Sequence, residues 1–202
     1  MHCSIFSKNK NKGFTLLELI VVMSIATIIM TTLVIQQDSW NDSLVVNTQA
    51  YELALMIRQA QVYSLGVRED ISAPSGTVDK FNVSYGVYMD QNHLDRYVFF
   101  VDRNGNKIYD SGPPDEAIEI KTFNRGVLIK DVCGNKGKCF PGIGPLEQAS
   151  ILFFRPKTEA IISLLNFGGN PVDVPPVVIR LTSPKGKISS VKVEANGQVS
   201  IQ

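Results

Sequence analysis

A few groups of side chains in this 202-residue chain are spaced so that they could do chemistry. Asp102, Asn104, Asn106 and Asp110 offer side-chain oxygens at alternating positions of Phe100-Val101-Asp102-Arg103-Asn104-Gly105-Asn106-Lys107-Ile108-Tyr109-Asp110, which is how a calcium loop begins. Cys133 and Cys139 flank Gly134-Asn135-Lys136-Gly137-Lys138, whose glycines permit the tight turn a small disulfide loop would need. Glu18 sets one carboxylate inside an otherwise apolar run. The bond Gly13–Phe14 precedes that run, and its hydrolysis would give Phe14 a free ammonium group on the helix face that Glu18 shares four residues later.

Each group has rival readings. An EF-hand loop wants glycine at its sixth place and a bidentate glutamate at its twelfth; those places hold Lys107 and Pro113. A β-turn at Asn104-Gly105, joining a strand over 96–102 to a short strand over 107–109, accounts for the same residues without a metal. The turn leads, Ca2+ is the alternative, and no other cofactor is indicated. Cys3 lies ahead of Gly13, so cleavage there turns an odd cysteine count into a pair. In an oxidising compartment that pair reads as a disulfide. A metal site wants three or four ligands, and a redox motif wants two intervening residues. His93 sits in the polar stretch Asp90-Gln91-Asn92-His93-Leu94-Asp95, and no zinc-protease helix motif, nucleophile elbow or phosphate-cradling glycine loop is present. The chain therefore reads as a non-enzyme.

The elements that would position these groups divide the chain into four parts. Residues 1–13 carry Lys8, Lys10 and Lys12 and no acid, the signature of a segment retained on the cytoplasmic side. Residues 14–35 are apolar apart from Glu18 and a few small polar residues; as a helix they would span roughly 33 Å against a hydrocarbon core of about 30 Å. A secretory signal would place its apolar segment ahead of the scissile bond, whereas here the scissile glycine comes first. A carboxylate at the centre of the bilayer costs about 2.5–3.5 kcal/mol, which a mere anchor has no reason to carry.

Over residues 36–65 the helical pattern turns amphipathic. Val46, Ala50, Leu53, Ile57 and Ala60 form one apolar stripe, polar residues such as Gln36, Asp38, Asn41, Asp42, Gln49, Glu52, Arg58 and Gln59 fill other positions, and Gly66 reads as the stop. Residues 66–202 change to strand period. Short strands are predicted over 83–89, 96–102, 117–123, 127–132, 151–154, 160–165, 177–181, 188–193 and 198–201. Asn196-Gly197 marks a two-residue hairpin loop, and the proline-rich stretches 112–114, 141–145 and 171–176 read as loops. The fold class is α+β: one long N-terminal helix, then a mostly antiparallel β domain of a size suited to one core. Removing residues 1–13 takes three lysines and no acid from the 20 basic and 19 acidic residues, leaving 17 against 19, so the composition supplies no strong field for nucleic acid or anionic lipid.

Lys12-Gly13-Phe14-Thr15-Leu16-Leu17-Glu18-Leu19-Ile20-Val21-Val22-Met23 resembles the N-terminal processing motif of type IV prepilins and type II secretion pseudopilins. The resemblance implies a type IV pilin-like fold. It further implies cleavage after Gly13 by a membrane-bound prepilin peptidase, methylation of Phe14, and pairing of Glu18 with a neighbouring subunit's N-terminus during assembly. The implied partners are other pilin or pseudopilin subunits, the peptidase and the inner-membrane assembly platform. The implied location is the bacterial cytoplasmic membrane, N-terminus inward, and then an extracytoplasmic filament. The all-strand domain with a closing hairpin is most similar to the minor subunits of the GspH/FimT group.

Three function classes follow. The first is a structural filament subunit. The second is a DNA-binding minor pilin of natural transformation, which would require a basic surface for phosphates. Arg180, Lys185, Lys187 and Lys192 lie in or between the terminal strands, yet the last hairpin carries Gln198 and Ser200 where arginines would be expected. The third is an anchored enzyme or receptor whose N-terminus only imitates the motif, leaving the cost of Glu18 unexplained.

Overall fold

The computed structural model describes residues 13–66, 70, 83–112, 116–134, 139–141, 146–166, 171–173 and 176–202, without the side chains of residues 36–39, 146, 166 and 171–173. Residues 1–12, Pro113-Pro114, Gly137 and the stretches 142–145 and 174–175 therefore lie outside that description. Helix α1 runs over Leu16–Leu65. Thr15 caps its start, its hydroxyl oxygen accepting the Glu18 N–H at 3.2 Å, and the helix stops before Gly66, whose N–H still reaches Val62 O at 2.9 Å. The chain forms two compact units, one ending at Trp40 and the other spanning Asn41–Gln202.

In the second unit eleven strands follow α1 among the described residues: β1 (Ser84–Asp90), β2 (Arg96–Asp102), β3 (Ala117–Thr122), β4 (Leu128–Cys133), β5 (Cys139–Phe140), β6 (Leu146–Phe153), β7 (Ala160–Asn166), β8 (Pro171–Asp173), β9 (Val177–Thr182), β10 (Ile188–Val193) and β11 (Val199–Ile201). They make two sheets, ordered β3-β2-β1-β6-β7-β8 and β11-β10-β9-β4-β5, with antiparallel pairing throughout. Alternation decides which side chains go inward: Tyr85, Val87 and Met89 of β1 enter the core, as do Val177, Ile179 and Leu181 of β9. They meet Val46, Ala50, Leu53, Ile57 and Ala60 of α1 in one cluster. Tyr63 adds edge-on ring contacts to Tyr85 at 5.6 Å and to Phe99 at 5.7 Å. Polar ties fix the helix at several points. Ser64 Oγ accepts the Tyr85 N–H, Gln49 Oε1 accepts the Asn124 N–H, Arg58 Nη2 donates to Val199 O, and Ser183 donates its hydroxyl to Asp42.

The outer face of the first sheet carries a smaller cluster of Tyr88, Val98, Phe100 and Leu152. Tyr109, from the segment after β2, lies over it with ring centroids 4.8 Å from Tyr88 and 5.5 Å from Phe100. Two buried carboxylates hold that segment. Asp102, 4% exposed, accepts the N–H groups of Gly105 and Lys107, and Glu116, 1% exposed, accepts those of Arg103 and Asp110. Burial pushes both carboxyl groups above their usual range, against the lowering effect of those same N–H groups. Arg103 in turn makes a two-bond contact with buried Asp70, Nε to Oδ2 at 2.6 Å and Nη2 to Oδ1 at 3.1 Å.

Several local expectations need correction. Residues 103–108 form bends in place of a short strand over 107–109, with Gly105 and Lys107 both at positive φ. Part of the proline-rich stretch 171–176 is strand β8, which tolerates Pro171 because it is an edge strand with proline at its first residue. Cys139–Phe140 is also a strand, and β6 begins at Leu146, five residues before the predicted start, because Glu147, Gln148 and Ser150 hide it from an apolar pattern. The closing hairpin is present, but its loop is longer than two residues. A turn over Glu194–Gly197 is closed by Gly197 N–H to Glu194 O at 3.0 Å, and the Glu194 N–H bonds Gln198 O at 2.9 Å, with Gly197 at φ 84°.

Gly197 is constrained twice, since a Cβ there would also stand 2.0 Å from Thr158 O. Gly197→Ala should lower stability by at least about 2 kcal/mol, and a melting temperature within about 1 °C of wild type would contradict this packing. For Glu116, whose folded pKa is raised, ionisation works against the fold. Its stabilising effect is full below the unfolded value of about 4.3 and is lost as pH rises through the folded one. Wild type should therefore lose stability relative to Glu116→Gln as pH rises from about 4 through the raised folded value; denaturant unfolding showing a constant difference would refute this.

Candidate functional site

The residues singled out in the sequence do not converge on one pocket. Gly13 and Phe14 precede α1, Phe14 is 79% exposed, and Glu18 lies exposed in the helix's first turn. The cap supplied by Thr15 had a readable signal that the motif overshadowed: Thr15-Leu16-Leu17-Glu18 has the spacing of a capping box. An acid in the first turn also complements the positive end of the helix dipole. Beyond it the helix is long and apolar enough to cross a membrane, and its large apolar side chains from Leu16 to Ile35 are exposed.

The hydroxyls within that segment turn back onto the helix. Ser24 donates to Ile20 O, Thr27 to Ser24 O, Thr31 to Thr27 O and Thr32 to Ile29 O, each at 2.8 Å. A hydroxyl bonded within its own helix presents no unsatisfied donor to hydrocarbon. The segment is thus suited to an apolar surrounding despite its serine and threonines.

The four calcium candidates are adjacent but serve the bend. Asn104 Oδ1 accepts the Asn106 N–H at 2.9 Å, and Asn106 Oδ1 accepts the Ile108 N–H at 2.8 Å. Those bonds fix both amides so that their nitrogens face Asp110 Oδ2, each donating at 2.7 Å. Two N–H donors occupy the place where a cation would want oxygens, so the set as arranged does not fit calcium. Among the described residues no group of three or more histidine, cysteine, aspartate or glutamate side chains could hold a metal ion.

Cys133 and Cys139 are joined as a disulfide that ties β4 to β5. Arg180 of β9 lies beside it, its Nε bonding Asp131 Oδ1 at 2.6 Å and its Nη2 standing 3.3 Å from Cys133 Sγ. Lys192 likewise bonds Glu194 at 2.6 Å. His93 Nδ1 lies 3.0 Å from Asp90 Oδ1 in an exposed turn, and no nucleophile is found with it among the described contacts.

The chain matches a family described as the prokaryotic N-terminal methylation motif over residues 8–34. No curated protein and no solved structure matches it. Proteins carrying this motif are structural subunits processed by prepilin peptidase, and they assemble with other pilin subunits. With a capped apolar helix directly after the motif and an antiparallel domain beyond, the match over residues 8–34 supports a relation to the type IV prepilin and pseudopilin superfamily and the architecture is consistent with a type IV pilin-like fold.

Proposed function

We propose that the chain is a minor pilin or minor pseudopilin of the GspH/FimT kind, made at the bacterial cytoplasmic membrane with its N-terminus inward. Prepilin peptidase cuts between Gly13 and Phe14, Phe14 is methylated, and the subunit enters a type IV pilus or type II secretion pseudopilus through its apolar helix. The observation that carries this reading is the methylation motif over residues 8–34 placed ahead of an exposed, membrane-length apolar helix. Glu18 and the new ammonium group of Phe14 give each other a partner of opposite charge, within the chain or between neighbouring subunits, and this offsets the cost of a carboxylate in lipid. No ion is assigned to the loop at Asp102–Asp110.

A DNA-receptor role fits less well. Of the basic residues near the terminal strands, Arg180 is engaged by Asp131 and Lys192 by Glu194, so their charge is largely balanced before any phosphate arrives. The disulfide is consistent with an oxidising, extracytoplasmic site for the β domain.

Replacing Gly13 by a bulky residue should leave a precursor about 1.5 kDa heavier than the processed protein; an unchanged band on a gel would refute cleavage at this bond. Glu18→Val should insert at least as well as wild type, being relieved of a cost that reaches about 2.5–3.5 kcal/mol only at the bilayer centre, yet fail to enter filaments. Normal incorporation in sheared filament preparations would exclude the paired-charge role. Adding calcium in place of chelator should leave the melting temperature within about 1 °C; a clear rise would restore the ion to the loop.

A further inference from the structure

The two sulfurs of the Cys133–Cys139 bridge are set apart by the charges around Cys133. The bridge joins a directly facing pair of β4 and β5, and Asp131, two residues before Cys133 and so on the same face of β4, stands opposite Arg180 of β9. Arg180 Nη2 and Asp131 Oδ1 each lie 3.3 Å from Cys133 Sγ, while Arg180 Nε bonds Asp131 Oδ1 at 2.6 Å. A sulfur in a disulfide has no proton to give, so the carboxylate beside it acts as a charge and the guanidinium as a donor. Both cysteines are half-buried. Strand β5 ends the order of its sheet among the described residues, which leaves the bridge open to reagents from the sheet edge.

A disulfide is opened by a thiolate that attacks one sulfur and expels the other as a thiolate. The three sulfurs lie in line as this happens, and the outer two carry most of the negative charge. Attack on Cys139 makes Cys133 an outer sulfur, and the Arg180 guanidinium already stands where that charge develops. Attack on Cys133 would make that sulfur the central one and leave the contact little charge to stabilise. The guanidinium's donors serve two anions at once: Nε stays on Asp131 and offsets its charge, and Nη2 bonds the emerging thiolate. A thiol whose pKa is lowered in this way leaves faster.

We infer that Cys139 is the exchanging sulfur of this bridge, the position that forms a mixed disulfide with an external cysteine thiolate, and that Cys133 is the resolving thiolate, held by Arg180. The step balances without an oxidant. The incoming thiolate forms an S–S bond to Cys139, the Cys139–Cys133 bond breaks, and its electron pair leaves on Cys133. In reverse, Cys133 attacks the mixed disulfide at Cys139, re-forms the bridge and releases the external thiolate. The inference is independent of the filament reading.

The test exposes the oxidised full-length chain in detergent to excess reduced glutathione, quenches early samples with acid, labels free thiols with a maleimide and locates both adducts by fragment mass spectrometry. The assignment predicts glutathione on Cys139 with maleimide on Cys133, about fivefold or more above the reverse arrangement. Arg180→Gln should slow opening about threefold or more, Asp131→Asn should speed it by a similar factor, and Arg180→Lys should fall closer to wild type than Arg180→Gln. The opposite signs separate this role from a structural one, since merely loosening β4 against β9 would speed opening in both variants. Glutathione equal on the two cysteines or chiefly on Cys133, rates that move in the same direction in both variants, or a bridge that glutathione does not open would each overturn the assignment. Should a variant unfold, the position of the adduct in wild type decides alone.

Discussion

Burial of one face of α1 is the constraint on which the β domain depends. Val46, Ala50, Leu53, Ile57 and Ala60 stand at or near zero exposure against residues of both sheets, and each large side chain so placed contributes about 1.5–3 kcal/mol by leaving water. Small residues at positions 50 and 60 let the backbone of the helix come close, while Leu53 and Ile57 fill the space between. The polar ties from Gln49, Arg58, Gln61 and Ser64 then set the helix's rotation. The turn at Gly197 meets the helix at Gln61, whose Nε2 donates to the carbonyls of Thr158 and Gly197.

Most of the groups that might suggest chemistry are consumed by this folding problem. Asp102 and Glu116 satisfy backbone N–H groups of a loop that shields Tyr88 and Phe100, and Asp42 accepts the Ser183 hydroxyl that itself accepts the Lys187 N–H. Each of these three carboxylates is thus bonded to donors of the fold. What remains for function is the N-terminus, where the motif and the apolar helix require no cleft at all.

Much of this was legible in the residues. Val46, Ala50, Leu53, Ile57 and Ala60 announced the packed face, Gly66 the helix end, and the strands 96–102 and 188–193 appeared with the expected bounds. The motif at Gly13–Glu18 pointed to the superfamily, because a carboxylate in an apolar run carries a cost that a mere anchor has no reason to bear. Other features were hidden for physical reasons. Strand β8 begins with a proline, β6 opens on polar residues, and the bend at Asn104–Lys107 has the composition of a hairpin although its N–H groups are taken by side chains.

The central claim is that cleavage creates the N-terminus at Phe14 that Glu18 requires. Intact mass and fragmentation of the protein purified from its native membrane test it most directly. The account predicts a chain that begins at Phe14 with a methyl group on its amine, and a chain that still begins at Met1 would contradict it.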